Sequence, residues 1–587
     1  MGTPSDANKK MKEPLLVTAP TSKGGFKALP FIFASEVFQL VASVGLLPNM
    51  ILYLKTQYGL ENAKAANLIF IWSAANQFTP VVGAFLADSY VGRYLMIGFG
   101  SIFSFLGMVL LWSTAMFTQA RPRCDKFSST CESPTTPQLL LLYSSLALIS
   151  IGGGGLKSSS LAFGADQLTN RNNAADSRTL ESYFSWYYVF VQGSALIAFT
   201  CIVYVQDKLG WKMGFGVPAI LMFISGLVFF LASPLYVKSK TGKSLLTGFA
   251  RVLSASFRNR HIDLSSQAGN EVKFFRKGSV LHVPSEKLRF LNKACVINDT
   301  QQDLASDDNA SNPWSLCTVD QVEDLKALIR VIPVWSTGII VTVTYSLDSF
   351  VVLQAGTMDR HITPNFEIPA GSFGVFTAIT LIIAVALYDR IALPLASKIK
   401  GKPVRLSLKQ RMGIGLLWSC GAMVSVATVE HIRREIAIRE GLSEKPQAMV
   451  HMSALWILLY CISIGLASAF CGIGQAEFFY TELPKTMSTV AANLQSLGAS
   501  AGSVAAGFIT STVDGVTKTR GESWISSNIN KGHYDYYYWL LTALSVLNFF
   551  YFLACSKAYG PCQGNEARTL VRAHAFEKED HETIDDC

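Results

Sequence analysis

Four charged residues lie inside or at the ends of long apolar stretches. Glu36 lies in PFIFASEVFQLVASVG, Lys157 follows IGGGG, Asp348 lies in VTYSLDSFVV, and Glu477 lies in GQAEFFYTELP. A charge at bilayer depth is costly and usually serves a function. We therefore predict that Glu36 and Lys157 line a water-filled cavity, the alternative being a structural ion pair between two helices. Asp348 is a further candidate for the same cavity, and Glu477 is expected to form a gate or a structural contact.

The composition of the chain explains what surrounds these charges. Charged residues make up 16% of the 587 residues, the mean hydropathy is +0.31, and there are 37 Phe and 10 Trp. Soluble domains carry about 25% charged residues. This composition argues against a soluble enzyme, a disordered chain or a disulfide scaffold. The net charge of +9 is spread between apolar runs, which is typical of a membrane protein and does not indicate nucleic-acid binding.

The elements that must position the charges are helices that cross a bilayer, each needing roughly 20 mostly apolar residues. About twelve such runs are present. The first six are 30–54, 65–87, 94–118, 138–163, 182–206 and 214–237. The second six are 327–353, 370–396, 410–430, 452–480, 487–512 and 535–557. The sequence predicts an all-α membrane protein with the lipid bilayer as its surroundings.

A long polar segment, 238–326, divides the two sets of runs. Because it is rich in Lys and Arg, the positive-inside rule places it and both termini in the cytoplasm. An amphipathic helix is expected at 244–258, the rest being solvated linker. The predicted organisation is a tail at 1–29, a six-helix bundle at 30–237, the linker at 238–326, a second bundle at 327–557 and a tail at 558–587. Six plus six helices is the layout of the major facilitator fold, although other transporters also have twelve spans.

The loop between the second and third runs reads GAFLADSYVGRYLMIG at 83–98. Asp88 and Arg93 are suited to capping and bridging neighbouring helices there. The pattern resembles the signature loop of the major facilitator superfamily. That resemblance implies a conformational role for both residues.

Further motifs resemble a narrower family. They include FGADQ at 163–167, WKMGFGVPA at 211–219, IPVWSTGII at 332–340, TMDRHITPNFEIP at 357–369, YDRIALPLA at 388–396, LKQRMGIGL at 408–416 and GQAEFFY at 474–480. In order along the chain, they are similar to the plant nitrate transporter/peptide transporter family, a branch of the proton-dependent oligopeptide transporters. The resemblance implies the major facilitator fold and proton-coupled import.

Several family positions differ in this chain. The first-span motif Glu-x-x-Glu-Arg/Lys is reduced to Glu36, with Gln39 and Leu40 in place of the other two charged residues. Lys157 matches the family Lys, but its usual Glu partner in the tenth span is Ser468. That Glu holds the peptide amino terminus in peptide carriers, so its loss argues against a peptide substrate. We therefore expect weak or absent proton coupling, with Asp348 as the one acidic residue that could replace the missing partner.

The remaining departures concern the substrate. Thr344 stands where a nitrate-binding His occurs in one type of relative, and Met96 stands where that relative has a phosphorylatable Thr. A Lys157 without its usual partner favours an anion: nitrate, a carboxylate hormone, or a sulfated or glycosylated metabolite. Aromatic residues are candidates to contact a ring-bearing ligand, or else pack in the core or face lipid. They are Trp186, Tyr187, Tyr188, Trp335 and Tyr345.

Cys124 and Cys131 lie in one loop on the predicted outer side, where two cysteines can form a disulfide. The other cysteines are scattered through the spans, and the sequons at Asn298 and Asn309 fall in the predicted cytoplasmic linker. HExxH and CxxC patterns are absent from the sequence, and no catalytic residues, metal or cofactor are predicted.

The resulting hypothesis is a secondary transporter of a small anion, with nitrate the leading candidate. A hormone or a glycosylated or sulfated metabolite is the alternative substrate, and a transport-poor sensor or facilitator is the alternative class. H⁺ is a candidate co-substrate. A monomer or weak dimer in the plasma membrane is expected, with the tonoplast as the other candidate membrane.

Overall fold

The computed structural model describes residues 25–123, 132–168, 177–238, 245–261, 273–276, 283–297, 303, 310–401, 406–446, 448–484 and 487–560. Cys124, Cys131, Asn298 and Asn309 lie outside the described residues, so the loop disulfide stays a prediction.

Within those residues, eleven helical stretches are long and apolar enough to cross a membrane. They are Gly25–Val44, Asn62–Val91, Arg93–Met116, Thr136–Leu168, Ser182–Lys208, Trp211–Leu231, Val319–Gly356, Ala370–Lys400, Leu408–Arg439, Ala454–Glu482 and Tyr534–Tyr559. A further long helix, Ser488–Lys518, is rich in Ala, Gly, Ser and Thr and falls between the last two. We number it the eleventh span and Tyr534–Tyr559 the twelfth. The prediction of an all-α membrane protein is confirmed.

The α-helices that build the first half are Leu29–Val44, Met50–Tyr58, Asn62–Leu86, Arg93–Met116, Thr136–Leu168, Ser177–Ile197, Val203–Lys208 and Trp211–Leu231. The linker contributes Leu245–Arg258 and Arg289–Asn292. Those of the second half are Val319–Tyr345, Asp348–Gly356, Gly374–Leu387, Leu393–Lys400, Leu408–Arg439, Leu458–Ala467, Ile473–Glu482, Ser488–Lys518 and Tyr534–Tyr559. Short 3₁₀ turns occupy Gly25–Lys27, Thr118–Ala120, Ser233–Leu235, Lys293–Cys295, Ala370–Phe373 and Ala454–Ile457.

Two spans, the first of each half, are interrupted near the ends that lie away from the linker, which we call the outer ends; the opposite ends are the inner ends. In the first, a helix ends at Val44 and the next begins at Met50, so the predicted run 30–54 is two helices rather than one. Pro48 lies in the break, where its missing N–H and fixed φ oppose a continuous helix. In the seventh, the break falls between Tyr345 and Asp348. Both interruptions border the central cavity described below.

Four spans contain a π-helical turn. The turns are Ala87–Val91, Ala198–Ile202, Tyr388–Ala392 and Ser468–Gly472. A π turn widens the helix locally and frequently marks a functional site. The turn in the tenth span begins at Ser468, the position where the family resemblance expects a Glu.

The short strands lie in the outer loops of the second half. Met358–Asp359 pairs in parallel with Val450–Ser453, and His361–Thr363 pairs antiparallel with Phe366–Glu367. The parallel pairing connects the loop after the seventh span to the loop before the tenth, and the antiparallel pairing is a hairpin within the former loop.

The glycine run before Lys157 is explained by close helix packing. A Cβ on Gly154 would lie 2.6 Å from Cβ of Thr79, and one on Gly155 would lie 2.8 Å from the carbonyl oxygen of Met96. Only glycine permits the fourth span to approach the second and third spans this closely, as at other small-residue interfaces in membranes. This packing fixes the part of the helix that carries Lys157.

Candidate functional site

A cavity of about 910 Å³ lies between the two halves of the molecule and is lined by residues of both. Lys157, Trp335, Tyr345 and Asp348, all predicted site residues, contribute to its wall. The structure thus brings together one predicted residue from the fourth span and three from the seventh. The aromatic residues Trp186, Tyr187 and Tyr188 are not among the lining residues described.

Lys157 is exposed to this cavity although it sits in the middle of a membrane span. In the described part of the chain, no carboxylate lies within 4.0 Å of its Nζ. It is also the sole cationic side chain among the described residues that line the cavity. The ammonium is therefore available to an anion that enters the cavity.

Glu36 occupies a different environment. Its side chain is 7% exposed, and it accepts a hydrogen bond of 2.7 Å from the hydroxyl of Tyr187. It is not among the described residues that line the cavity. The alternative of an ion pair between Glu36 and Lys157 is not found among the described residues, in which the Glu36 carboxylate bonds to Tyr187 of the fifth span instead.

Asp348 begins the outer helix of the seventh span and is exposed to the cavity. The hydroxyl of Tyr460, in the tenth span, donates a hydrogen bond of 3.0 Å to its carboxylate. Trp335 donates from its ring nitrogen to the carbonyl oxygen of Leu494, 2.8 Å away, which fixes the indole against the eleventh span. The second half thus supplies a carboxylate and aromatic surface to the cavity.

Amide side chains also line the cavity, and our sequence reasoning missed them. They are Asn76, Gln77, Gln192, Gln475 and Gln495. Each can donate and accept hydrogen bonds without carrying a charge. The signal that could have found them is the same one that found the charges, since each lies within an apolar run.

The predicted conformational residues lie at the inner ends of the helices. Arg93 contacts Asp88 at 3.3 Å and Asp166, in the fourth span, at 2.9 Å through both carboxylate oxygens. Asp166 belongs to the FGADQ motif, and the sequence analysis did not predict its contact with Arg93. Glu477 pairs with Arg411 of the ninth span at 2.5 Å. Each cluster ties neighbouring helices of one half together.

The outer ends of the two halves are joined by polar contacts. Ser372 donates to the carbonyl oxygen of Phe199 at 2.9 Å, and Asn62 donates to the hydroxyl of Tyr534 at 2.9 Å. Two ion pairs cross the same boundary, Lys208 with Glu367 at 3.4 Å and Lys518 with Glu61 at 3.4 Å. These contacts separate the cavity from the outer face.

In the part of the chain that the structure describes, eleven apolar helical stretches and the helix Ser488–Lys518 form two halves with a polar cavity between them. This is the architecture of a membrane transporter. The chain belongs to the POT family, whose sequence profile matches residues 94–526. Protein NRT1/ PTR FAMILY 1.1 of Arabidopsis thaliana is 51% identical over 585 residues, which cover 99% of this chain and 98% of that protein. Protein NRT1/ PTR FAMILY 1.2 of the same plant is 52% identical over 548 residues, covering 92% and 90%.

Solved structures show the same fold. An auto inhibited POT family peptide transporter superposes with a TM-score of 0.65 at 18% identity, over 91% of this chain and 98% of that chain. A POT family transporter in complex with 5-aminolevulinic acid gives 0.60 at 14% identity, over 92% and 99%. The predictions of the plant nitrate/peptide transporter family and of two six-helix bundles in the major facilitator fold are confirmed.

Proposed function

We propose that this transporter carries an organic anion whose charged group pairs with Lys157 in the central cavity. The single observation that supports this assignment is the exposed ammonium of Lys157, without a carboxylate partner among the described residues. An uncompensated charge at this depth is stabilised when a counter-ion binds. Alternating access around the cavity then moves the anion across the membrane.

The size and lining of the cavity favour an organic anion over nitrate. Cavities of roughly 300–1,000 Å³ suit drug-sized ligands, and this one measures about 910 Å³. Trp335 and Tyr345 give it an aromatic wall, on the opposite half from Lys157. A ring-bearing carboxylate or a sulfated or glycosylated metabolite fills such a space, whereas nitrate leaves most of it to water. Nitrate is the second candidate, because Lys157 and the amide side chains are also suited to a small anion.

We also propose that proton coupling is weak and that transport is driven largely by the anion gradient and the membrane potential. Glu36 is buried against Tyr187 rather than facing the cavity, and Gln39 cannot titrate. Asp348 is the one carboxylate among the described residues that line the cavity. We therefore propose that Asp348 binds any proton that moves with the substrate.

The transport unit we propose is the monomer, because the residues of one chain enclose the cavity. The plasma membrane is the proposed location and the tonoplast the alternative. A fluorescent fusion observed in plant cells distinguishes the two membranes.

Uptake into oocytes tests the substrate. The panel contains nitrate, ring-bearing carboxylates, and sulfated and glycosylated compounds, each measured with wild type, Lys157→Ala, Lys157→Arg and the control Lys398→Ala. Lys398 is an exposed lysine at the inner end of the eighth span. We expect uptake of an organic anion that is abolished in Lys157→Ala, partly retained in Lys157→Arg and normal in Lys398→Ala, at equal surface expression. Normal uptake by Lys157→Ala would contradict the role of Lys157, and an absence of uptake across the panel would favour a sensor.

Uptake at about pH 5.5 and about pH 7.5 tests the coupling. We expect a small acid stimulation in wild type that persists in Glu36→Gln and disappears in Asp348→Asn. A steep stimulation that vanishes in Glu36→Gln would show that the single glutamate couples protons, and the coupling proposal would be wrong.

A further inference from the structure

The linker helix Leu245–Arg258 has two apolar faces, and the described residues cover only one of them. Val252 and Ala255 are buried in a cluster that includes Leu291 and Val319. On the adjacent face Ala250, Leu253 and Phe257 are spaced as i, i+3 and i+7, so they form one stripe along the helix. Leu253 is 51% exposed and Phe257 is 70% exposed. This stripe has no partner among the described residues that would cover it.

The exposed stripe lies in a strongly basic stretch of the chain. Between residues 209 and 262 the sequence contains no Asp or Glu. Its Lys and Arg after the sixth span are Lys238, Lys240, Lys243, Arg251, Arg258 and Arg260. The guanidinium of Arg260 lies 4.6 Å from the centre of the Phe257 ring, so charge and aromatic surface are adjacent. Clusters of four to eight basic residues next to a membrane span are typical of segments that bind anionic lipid.

The position of the helix is close to the membrane surface. It packs in one cluster with Val319 and Val322 at the start of the seventh span. These residues precede the predicted apolar run at 327 by eight and five positions. At 1.5 Å per residue they lie about 12 Å and about 8 Å from the hydrocarbon. Lys238, where the chain leaves the sixth span, contacts the ring of Tyr94 at 4.0 Å, at the inner end of the third span.

We propose that the stripe formed by Ala250, Leu253 and Phe257 docks onto anionic lipids of the membrane that contains the protein. The apolar side chains enter the boundary between headgroups and acyl chains, and Arg258 and Arg260 pair with lipid phosphates or carboxylates. The acidic segment 577–586 of the chain, with six Asp or Glu, is the competing occupant. Lipid is the favoured occupant because the stripe is apolar and aromatic and therefore needs an apolar partner. The acidic segment offers one large apolar residue, Ile584.

Hydrogen exchange of the full chain in nanodiscs tests this proposal. Exchange is followed in peptides from 245–261, in phosphatidylcholine alone and with about one third phosphatidylserine. We expect exchange to slow by at least about tenfold in the anionic bilayer, and the slowing to be lost at about 0.5 M salt. The variant R258Q/R260Q is expected to lose the slowing. The control K287Q/R289Q removes the same charge from another exposed part of the linker and is expected to retain it.

Other results would contradict the proposal or assign the stripe to the acidic segment. Equal exchange in both bilayers would overturn the proposal, and so would slowing that persists in R258Q/R260Q. Protection in phosphatidylcholine alone that is lost on removing residues 577–587 would show that the acidic segment covers the stripe. A second variant, L253S/F257S, is expected to lose the slowing with every arginine present. Unchanged exchange in peptides from the seventh span shows that each variant is folded.

Discussion

The hydroxyl of Tyr187 donates a 2.7 Å hydrogen bond to the carboxylate of Glu36, and both side chains are buried. This contact joins the first span to the fifth span within the first half of the molecule. It satisfies a carboxylate that would otherwise have to find a partner in the cavity. We therefore expect Glu36 to have a structural role in this conformation.

The first prediction concerns that contact. Tyr187→Phe removes the donor from a buried carboxylate, and we expect the free energy of unfolding to fall by about 1–3 kcal/mol. Glu36→Gln is expected to lower the free energy of unfolding by a smaller amount, because the carboxamide oxygen still accepts the hydrogen bond. Thermal unfolding of the purified protein measures both. Tyr90→Phe, at an exposed tyrosine, is the control, and equal melting of Tyr187→Phe and Tyr90→Phe would show that the bond contributes nothing.

The second prediction concerns the outer closure. A Cβ on Gly371 would collide with Oδ1 of Asn49 from the other half. Gly371→Ala is therefore expected to separate the two outer ends and to reduce uptake, because each 1 kcal/mol lost from the closed state lowers its equilibrium constant about fivefold. Radiolabelled uptake measures the effect. The control is Gly421→Ala, where nothing lies within 4 Å of the added atom, and an equal rate in the two variants would contradict the role of this contact.

The third prediction concerns a buried ion pair at the outer end of the ninth span. Arg433 and Glu430 are both 0% exposed and are 2.7 Å apart. The guanidinium also donates to Thr357, Asn530 and the carbonyl oxygen of Ile529, so its five N–H groups are used. Arg433→Ala leaves a buried carboxylate unpaired, and we expect it to lower the free energy of unfolding by roughly 3–5 kcal/mol.

Unfolding in denaturant checks this value. The double variant Glu430→Leu with Arg433→Met is expected to recover much of the loss, because neither charge then remains buried. Arg439→Ala breaks an exposed pair with Glu435 and is expected to stay within about 1 kcal/mol of wild type. If Arg433→Ala also lowered the free energy of unfolding by only about 1 kcal/mol, the buried pair would not stabilise the outer loops.

The fourth prediction concerns pH. Burial and the neighbouring Arg434 lower the pKa of His533 below its usual value. Its Nε2 accepts a hydrogen bond of 3.2 Å from Arg434, and its ring stacks on Tyr536 at 4.7 Å. Below about pH 6.5 the unfolded chain binds a proton that the folded chain resists. The contribution of this histidine to stability is therefore complete above that pH and is lost as the pH falls.

Thermal midpoints between about pH 5 and about pH 7.5 test the sign. His533→Phe keeps an aromatic ring but cannot titrate, so its midpoint is expected to fall less than that of wild type on acidification. Other titrating groups contribute to both proteins and cancel in the comparison. A steeper fall in the variant would reverse the assignment.

The fold could be predicted from the sequence because the membrane demands long apolar helices. The predicted ends of a span are wrong where polar side chains pair with each other inside the protein, because the apolar run then stops before the helix does. The ninth span was predicted as 410–430 but continues to Arg439, because Glu430 and Arg433 satisfy each other in the interior. The break after Val44 was missed because the apolar run continues through it.

The site could be predicted only in part. Lys157 and Asp348 were found because a charge in an apolar run is conspicuous, and both line the cavity. The direction in which Glu36 points depends on the rotation of the first span and on Tyr187, which spacing along one chain does not reveal. The amide groups, such as Gln192 and Gln475, carry no charge and so gave a weaker signal.

The composition of the eleventh span has a consequence for biosynthesis. Ser488–Lys518 is rich in Ala, Gly, Ser and Thr, and such a segment partitions from the translocon into lipid less readily than one rich in Leu, Ile and Phe. Ser500 of this helix donates to the carbonyl oxygen of Ala74, in the second span, at 2.9 Å. The second span is synthesised long before the eleventh. We therefore expect the nascent first half to offer a docking surface on which the late, weakly apolar helix completes its insertion.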